Sequence, residues 1–364
     1  MVSTFMTGGI RVKLVTLLFL LIGLTTTVQA GGSIKVGSEP FALALSRDGS
    51  RLYVLNRFSS TVHVVRTDTR TVVAEISVGS SPRALLLTPD DRHLYVINYN
   101  PGIDGNSVTV IDAESNTVVT TIAVGVAPFV AAITPDGRRL YVANLGGNSV
   151  SVIDTASNTV TATIKVGRRP RAVGITPDGR KVYVANSDGK TMSVISTESN
   201  TVTATIPIGR FPTALQITPD GRQVYVANTN EESVSVILTS SDTVRNTIPV
   251  GLIPASIAIS PDGRLAYVAN FGGNTLSVID AQTDAVKETV PVGGGPIAVR
   301  VSSDSKVVFV VNEHSDTVSL VVTGDSSQNR QLGVGNAPFA LAVSPDGQQA
   351  YVTNLFSSSV AVVP

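Results

Sequence analysis

Eight prolines, Pro40, Pro82, Pro128, Pro170, Pro212, Pro254, Pro296 and Pro338, recur along this chain at intervals of 42 residues, with one interval of 46 between the second and third. Each opens a close copy of the same text, so the chain is an array of similar units. A period of this length belongs to architectures in which each repeat is one small supersecondary unit that buries its faces only against its neighbours. It overrides the two-domain expectation that 364 residues would raise by length alone.

The third unit shows how a repeat is built. Ala131 to Thr134 close an apolar run, Pro135 sets φ for the second position of a type I turn, and Gly137 supplies the left-handed residue of a three-residue hairpin. Leu140, Tyr141 and Val142 return as the partner strand. Asn144 is expected to end it, using its tolerance of the left-handed region to start the Gly146-Gly147-Asn148 turn. Four pieces recur in order: a Pro-led strand a, a Tyr-Val-x-Asn strand b, a Ser-Val-x-Val-Ile strand c and a Thr-Val-x-x-Thr-Ile-x-Val-Gly strand d. The Asn of strand b returns in register with the prolines at Asn56, Asn98, Asn144, Asn186, Asn228, Asn270, Asn312 and Asn354, which fixes the count at eight. The four extra residues of unit two fall between Tyr99 and Asn106.

Four short strands in a unit of about 42 residues make one blade of a β-propeller. With 31 Gly, 19 Pro and only 15% charged residues, the composition suits many short strands joined by tight turns, with essentially no helix. The expected fold is all-β, a single eight-bladed propeller of four-stranded antiparallel blades. Unit eight stops at Val363-Pro364, after strand c. Ile34-Lys35-Val36-Gly37 is identical to Ile164-Lys165-Val166-Gly167, the end of a d strand, so the N-terminal strand is expected to complete the last blade and cover its open edge.

Tyr351-Val352-Thr353-Asn354 spells the signature of the YVTN-type β-propeller repeats, and the chain resembles that family from Ile34 to Val363. The resemblance implies an exported or surface protein of bacterial or archaeal type. Members are often seven-bladed, so seven is the alternative to the eight counted here. The pattern is related to WD repeats and to propeller lactonases, but brings no catalytic motif with it. Unit seven departs most from the family, with Phe309 in place of Tyr, Ser303-Asp304-Ser305 in place of Pro-Asp-Gly, and a d strand reduced to Asn329 to Val334. Unit one has Arg47 for the turn Pro, and unit two has Asp91 for the turn Gly.

Arg11 and Lys13 precede an apolar run from Leu14 to Leu24, and Val28-Gln29-Ala30 ends on a small residue. This reads as a secretory signal over residues 1–30, cleaved after Ala30, ahead of a propeller domain at 31–364. The run is well short of the roughly 20 residues needed to span a bilayer, so no membrane span is expected in the mature chain. The implied destination is the periplasm, the cell surface or the medium.

Basic and acidic residues balance at 27 each, which does not favour nucleic acid as a partner. The chain has no Cys, so it has neither a disulfide framework nor a thiolate metal site. Asp48, Asp90, Asp136, Asp178, Asp220, Asp262, Asp304 and Asp346 recur once per blade. Each sits alone in a hairpin turn, where a structural role is expected rather than a calcium site needing six to eight converging oxygens. His63, His93 and His314 lie far apart in sequence and lack the close pairing of a metal or catalytic set. No metal and no cofactor are expected.

Because strands alternate in direction, the d to a loops and the b to c loops should emerge together around one mouth of the central channel, where function tends to sit on a rigid scaffold. The d to a loops carry Arg83 in blade two, Arg168, Arg169 and Arg171 in blade four, and Arg210 and Phe211 in blade five. Glu231 and Glu232 follow in a b to c loop, and Phe41, Phe129 and Phe339 recur near the same rim. This mixture resembles the composition of interfaces, and the planar guanidinium fork suits carboxylate or phosphate. The alternative is plainer: the phenylalanines pack between blades, and the arginines pair with Glu231, Glu232 and solvent. In strand a, large residues at the third and fifth positions after the proline (Leu43 and Leu45, Val173 and Ile175) are expected to pack between blades. The small residues at the second and fourth (Ala42 and Ala44, Ala172 and Gly174) should then face the channel. Gln216 and Arg300, at the fourth position, would project into it. The expected function is a non-enzymatic exported binding or scaffold module that holds a protein or glycan partner, or a small anionic ligand, at the mouth. The alternative is a propeller enzyme of lactonase-like or lyase type, with Glu39, Asp104, Glu231, Glu313 and His314 as its available contributors.

Overall fold

A computed structural model describes residues 28–99 and 106–364. Nearly all of the expected signal segment lies outside the described residues, as does the inserted part of the blade-two loop with Asp104. The described chain forms eight antiparallel blades arranged in a ring, so the count of eight holds over the seven common among YVTN-type repeats. Blade three is typical, with strands Pro128–Ile133, Arg139–Asn144, Ser149–Asp154 and Thr159–Lys165 running from the axis outward. The one described helical element is a single 3₁₀ turn, Ser326–Gln328, ahead of the short d strand Arg330–Gly333 of blade seven.

The ring closes as the repeated strand text requires. Ser33–Lys35 pairs antiparallel with Ser359–Val363, placing Ile34 opposite Val360 and completing blade eight. Just before it, Val28–Gln29 runs parallel to Leu332 and Gly333 as a fifth strand on blade seven, and the Ala30 amide donates to the Gly333 carbonyl at 2.9 Å. From blade eight the chain runs straight on into strand Pro40–Leu45 of blade one, which joins the two ends between which a linear array would otherwise open.

The core lies between blades, where both faces of every sheet are apolar. Tyr225, Val234 and Val236 of blade five pack on Ile257, Val268 and Ile279 of blade six, and the same set recurs around the ring. Each such aliphatic side chain contributes roughly 1.5–3 kcal/mol when fully buried. This arrangement corrects the expectation that the small residues of strand a face the channel. Ala42 packs with Leu85 and Leu87 of the next blade. A β-carbon added at Gly174 would lie 2.5 Å from Leu215 Cδ1 of blade five. The small positions are sockets for the large third and fifth residues of the following blade, because innermost strands approach too closely for bulk on both sides. Gln216 and Arg300 are too long for such a socket, and both remain exposed on innermost strands.

Three polar devices repeat with the sheets. In the a to b turn, Thr134 Oγ1 and the Arg138 amide donate to Asp136 Oδ1 at 2.6 and 3.0 Å. Gly137 sits at φ 72°, and its place is taken by Asp91 and Ser305 at φ 58° and 62°. The Asn that ends strand b does not turn left-handed, contrary to expectation. It stays in the ladder, fully buried, and its amide donates to hydroxyls of strand c, as Asn144 does to Ser149 and Ser151 at 3.1 and 3.0 Å. The left-handed residue of that turn comes later, at Asn148 with φ 51°. Third, the strand b tyrosines of blades two, three and four cross to the next blade: Tyr95 to Asn158 at 3.0 Å, Tyr141 to Asn200 at 2.9 Å and Tyr183 to Asp242 at 2.6 Å.

Candidate functional site at the channel mouth

The d to a and b to c loops do share one face, stitched together by the backbone. The Leu145 amide donates to the Ala127 carbonyl, and the Arg57, Ser187, Thr229, Phe271 and Glu313 amides repeat that bond in their own blades. The accepting residue is always the one before the leading proline. It is left-handed in all eight blades, though only Gly295 of the set is glycine. A non-glycine residue held this way costs roughly 1–2 kcal/mol, offset here by the loop-to-loop hydrogen bond.

The residue after each proline is a β-bulge. Pro128 pairs with Asn144 and Val130 with Ala143, which leaves Phe129 outside the ladder, and the same shift occurs after Pro40, Pro82 and Pro170. A bulge re-aims its side chain out of the sheet face. Around the ring these positions read Phe41, Arg83, Phe129, Arg171, Thr213, Ala255, Ile297 and Phe339, so an aromatic and cationic arc spans blade eight through blade four.

Within that arc the rings and guanidinium groups interleave. Phe339 and Phe41 lie 4.4 Å apart at 32°. The Arg83 guanidinium carbon is 5.3 Å from the Phe41 centroid, 3.9 Å from that of Phe129 and 5.6 Å from that of Tyr99. Arg171 lies 5.2 Å from the rings of both Phe129 and Phe211. Contacts of this kind are worth about 0.5–1 kcal/mol when exposed and more when desolvated. Arg57, missed from sequence, stacks 4.6 Å over Phe41 and forms a two-pronged ion pair with Glu39. Arg83 and Arg171 have no ion pair and no hydrogen bond among the described residues. Burial, followed by the positive charges of Arg171 and Arg57, pulls the Arg83 pKa down to about 10. Burial, then Arg169, lowers that of Arg171.

The other residues singled out from sequence are placed as follows. Arg168 and Arg210 are exposed on the same loops, and Arg169 lies 3.8 Å from Asp188. Glu231 and Glu232 are exposed and form no ion pair with these arginines, so that part of the plain alternative does not hold. The Glu231 carboxylate instead folds against Gly209. The phenylalanines do bridge neighbouring blades. Arg300 donates to the Val299 carbonyl at 2.8 Å from the innermost strand of blade seven; its side chain reaches solvent, but the ring of blades crowds around it and lowers its pKa. The alternation was in the sequence, one residue after each leading proline. The bulge that aims it at the mouth was not.

The contributors named for an enzyme that lie among the described residues do not converge. Glu39 is engaged by Arg57, His314 stacks edge-on against Phe271 at 4.8 Å, and Glu231 lies two blades away from His314. His63 lies 3.4 Å from Glu75 across strands c and d, with burial lowering its pKa. Among the described residues no group of three or more His, Asp or Glu could hold a metal ion, and no helix is long and apolar enough to cross a membrane.

Residues 148–295, less than half of the chain, match the family described as "Choice-of-anchor I domain". No curated protein matches the chain. Among solved structures, the chain is similar to Kuenenia stuttgartiensis hydrazine synthase, with 26% identity and a TM-score of 0.64 over 81% of this chain and 98% of that one. It is also similar to the dihydro-heme d1 dehydrogenase NirN, solved in complex with DHE, with 16% identity and a TM-score of 0.70 over 89% of this chain and 73% of that one. The chain is thus a β-propeller similar in part to the choice-of-anchor I domain, with Phe339, Phe41, Arg83, Phe129 and Arg171 gathered at one channel mouth.

Proposed function

We propose that this protein is an exported, non-enzymatic propeller module that holds an anionic ligand, free or carried on a protein or glycan partner, at the mouth formed by its d to a and b to c loops. One observation carries the reading: Arg83 and Arg171 are held between aromatic rings, partly desolvated, with no acid or carbonyl among the described residues to satisfy them. A guanidinium stacked on a ring uses its face and leaves its in-plane N–H donors free, the geometry that suits bidentate oxyanion recognition. The partial match to a choice-of-anchor domain and the leader-like N-terminal text support export to the cell envelope.

The test is a thermal-shift screen of carboxylates, phosphates and acidic oligosaccharides against the exported chain, since a ligand of the native state raises the melting temperature by mass action. Hits lost in Arg83→Gln are expected, whereas hits indifferent to that change would move the site elsewhere. An enzyme is the second reading, favoured by the names of the two similar structures. It requires turnover of a small substrate, and binding without turnover counts against it.

A further inference from the structure

The mouth contains its own example of a satisfied cation. Arg57 lies face-on against Phe41, as Arg83 and Arg171 lie against Phe129, but the residue before its blade's proline is Glu39, whose carboxylate takes the free edge of the guanidinium. At that position blade two has Ser81 and blade four has Arg169. Among the described residues, two guanidinium groups built into the same kind of seat therefore lack the carboxylate that completes the first. They are also coupled, because they come from the blades on either side of one ring, 3.9 and 5.2 Å from its centre. Each bears on the other as a like charge in a partly dry setting. Beyond blade four the same register holds Thr213, Ala255 and Ile297, and the Thr213 hydroxyl is already bonded to Thr229 at 2.6 Å. In the register of bulge positions the unpaired guanidinium groups are thus Arg83 and Arg171, on one arc.

We propose that this arc takes a ligand bearing two oxyanion groups, one received by Arg83 and one by Arg171, with Phe129 as the spacer between them. The inference rests on the anion-binding reading above and adds to it the number and spacing of charges. A dianion removes the repulsion between the two arginines as it binds. A monoanion leaves one of them unmet.

Isothermal titration of the exported chain at low ionic strength, where such contacts are least screened, compares acetate, succinate, adipate and pyrophosphate. A dianion should bind roughly tenfold or more tighter than acetate because its second group binds intramolecularly. Preference for a dicarboxylate or for pyrophosphate would identify carboxylate or phosphate as the natural group. Arg83→Gln and Arg171→Gln should each bring the dianion down to the level of acetate. Equal binding of acetate and the dianions, with Arg83→Gln weakening both, would overturn the two-point site while leaving the anion reading in place. No binding by any probe would overturn both. Arg83→Met should also raise the melting temperature of the free protein, and a fall would show Arg83 to be a structural residue.

Discussion

The hydroxyl of Tyr183 in blade four donates a 2.6 Å hydrogen bond to Asp242 in the c to d turn of blade five, and Lys181 holds the other oxygen of that carboxylate at 2.7 Å. Asp242 is left-handed at φ 53°, as are Asn158 and Asn200, which receive Tyr95 and Tyr141. Tyr95, Tyr141 and Tyr183 thus each fasten their blade to the next turn, whereas Tyr225 and Tyr351 donate to Gln223 and Gln349 of their own strands. Phe309 then has an explanation. It packs toward blade eight, whose strand c pairs with Ser33–Lys35 in place of a following strand d, so among the described residues no c to d turn stands there to accept a hydroxyl.

Tyr183→Phe should lower stability by about 1.5–3 kcal/mol, the worth of a hydrogen bond to a charged group, and Phe309→Tyr should also destabilise because it buries an unmatched hydroxyl. Thermal melts of both variants decide this. A stabilised Phe309→Tyr would disprove the account of blade seven.

Gly125 lies against the buried amide of Asn144, and a β-carbon there would fall 2.5 Å from Nδ2. That amide is fixed by Ser149 and Ser151 and has nowhere to move. Gly125→Ala should destabilise by about 1–3 kcal/mol, the range for overpacking, as read from the midpoint of denaturant unfolding. An unchanged midpoint would mean the loop yields freely.

Deleting Gly31 to Gly37 removes the strand that completes blade eight and uncovers the edge of Ser359–Val363. An open edge is a template for pairing between molecules. The truncated protein should melt at lower temperature and associate, and size-exclusion chromatography showing a monomer of unchanged melting temperature would refute ring closure by this strand.

The turn aspartates set an acid limit. Hydrogen bonds from Ser46 and Ser50 hold Asp48 down to about 2 from an ordinary 3.8, and hydroxyl and backbone donors likewise lower Asp136, Asp178, Asp220 and Asp262. A carboxylate whose folded pKa lies below its unfolded value adds stability above the unfolded value and loses it as pH falls through the folded one. The melting temperature should therefore hold down to about pH 4 and fall steadily toward pH 2. A flat profile across that window would remove the turns from the stability account.

The period of the prolines and of the Asn in strand b, with the strand text repeated at Ile34 and Ile164, determined the blade count, the strand order and the way the ring closes, because these depend on local turn chemistry and on where copies begin and end. Asp136 and Gly137 were legible for the same reason, since a hairpin turn is made by residues adjacent in sequence. Whether Asn144 turns or stays in the ladder depends on hydroxyls brought to it by strand c. The fit of Gly174 to Leu215 and of Tyr183 to Asp242 depends on a neighbouring blade some 40 to 60 residues away. The mouth was hidden in the same way. One unpaired residue after each leading proline turns Phe41, Arg83, Phe129 and Arg171 out of their sheets and sets them against one another across blade boundaries. A period-two strand pattern cannot register a bulge, so only the tertiary structure could bring these four residues into one arc.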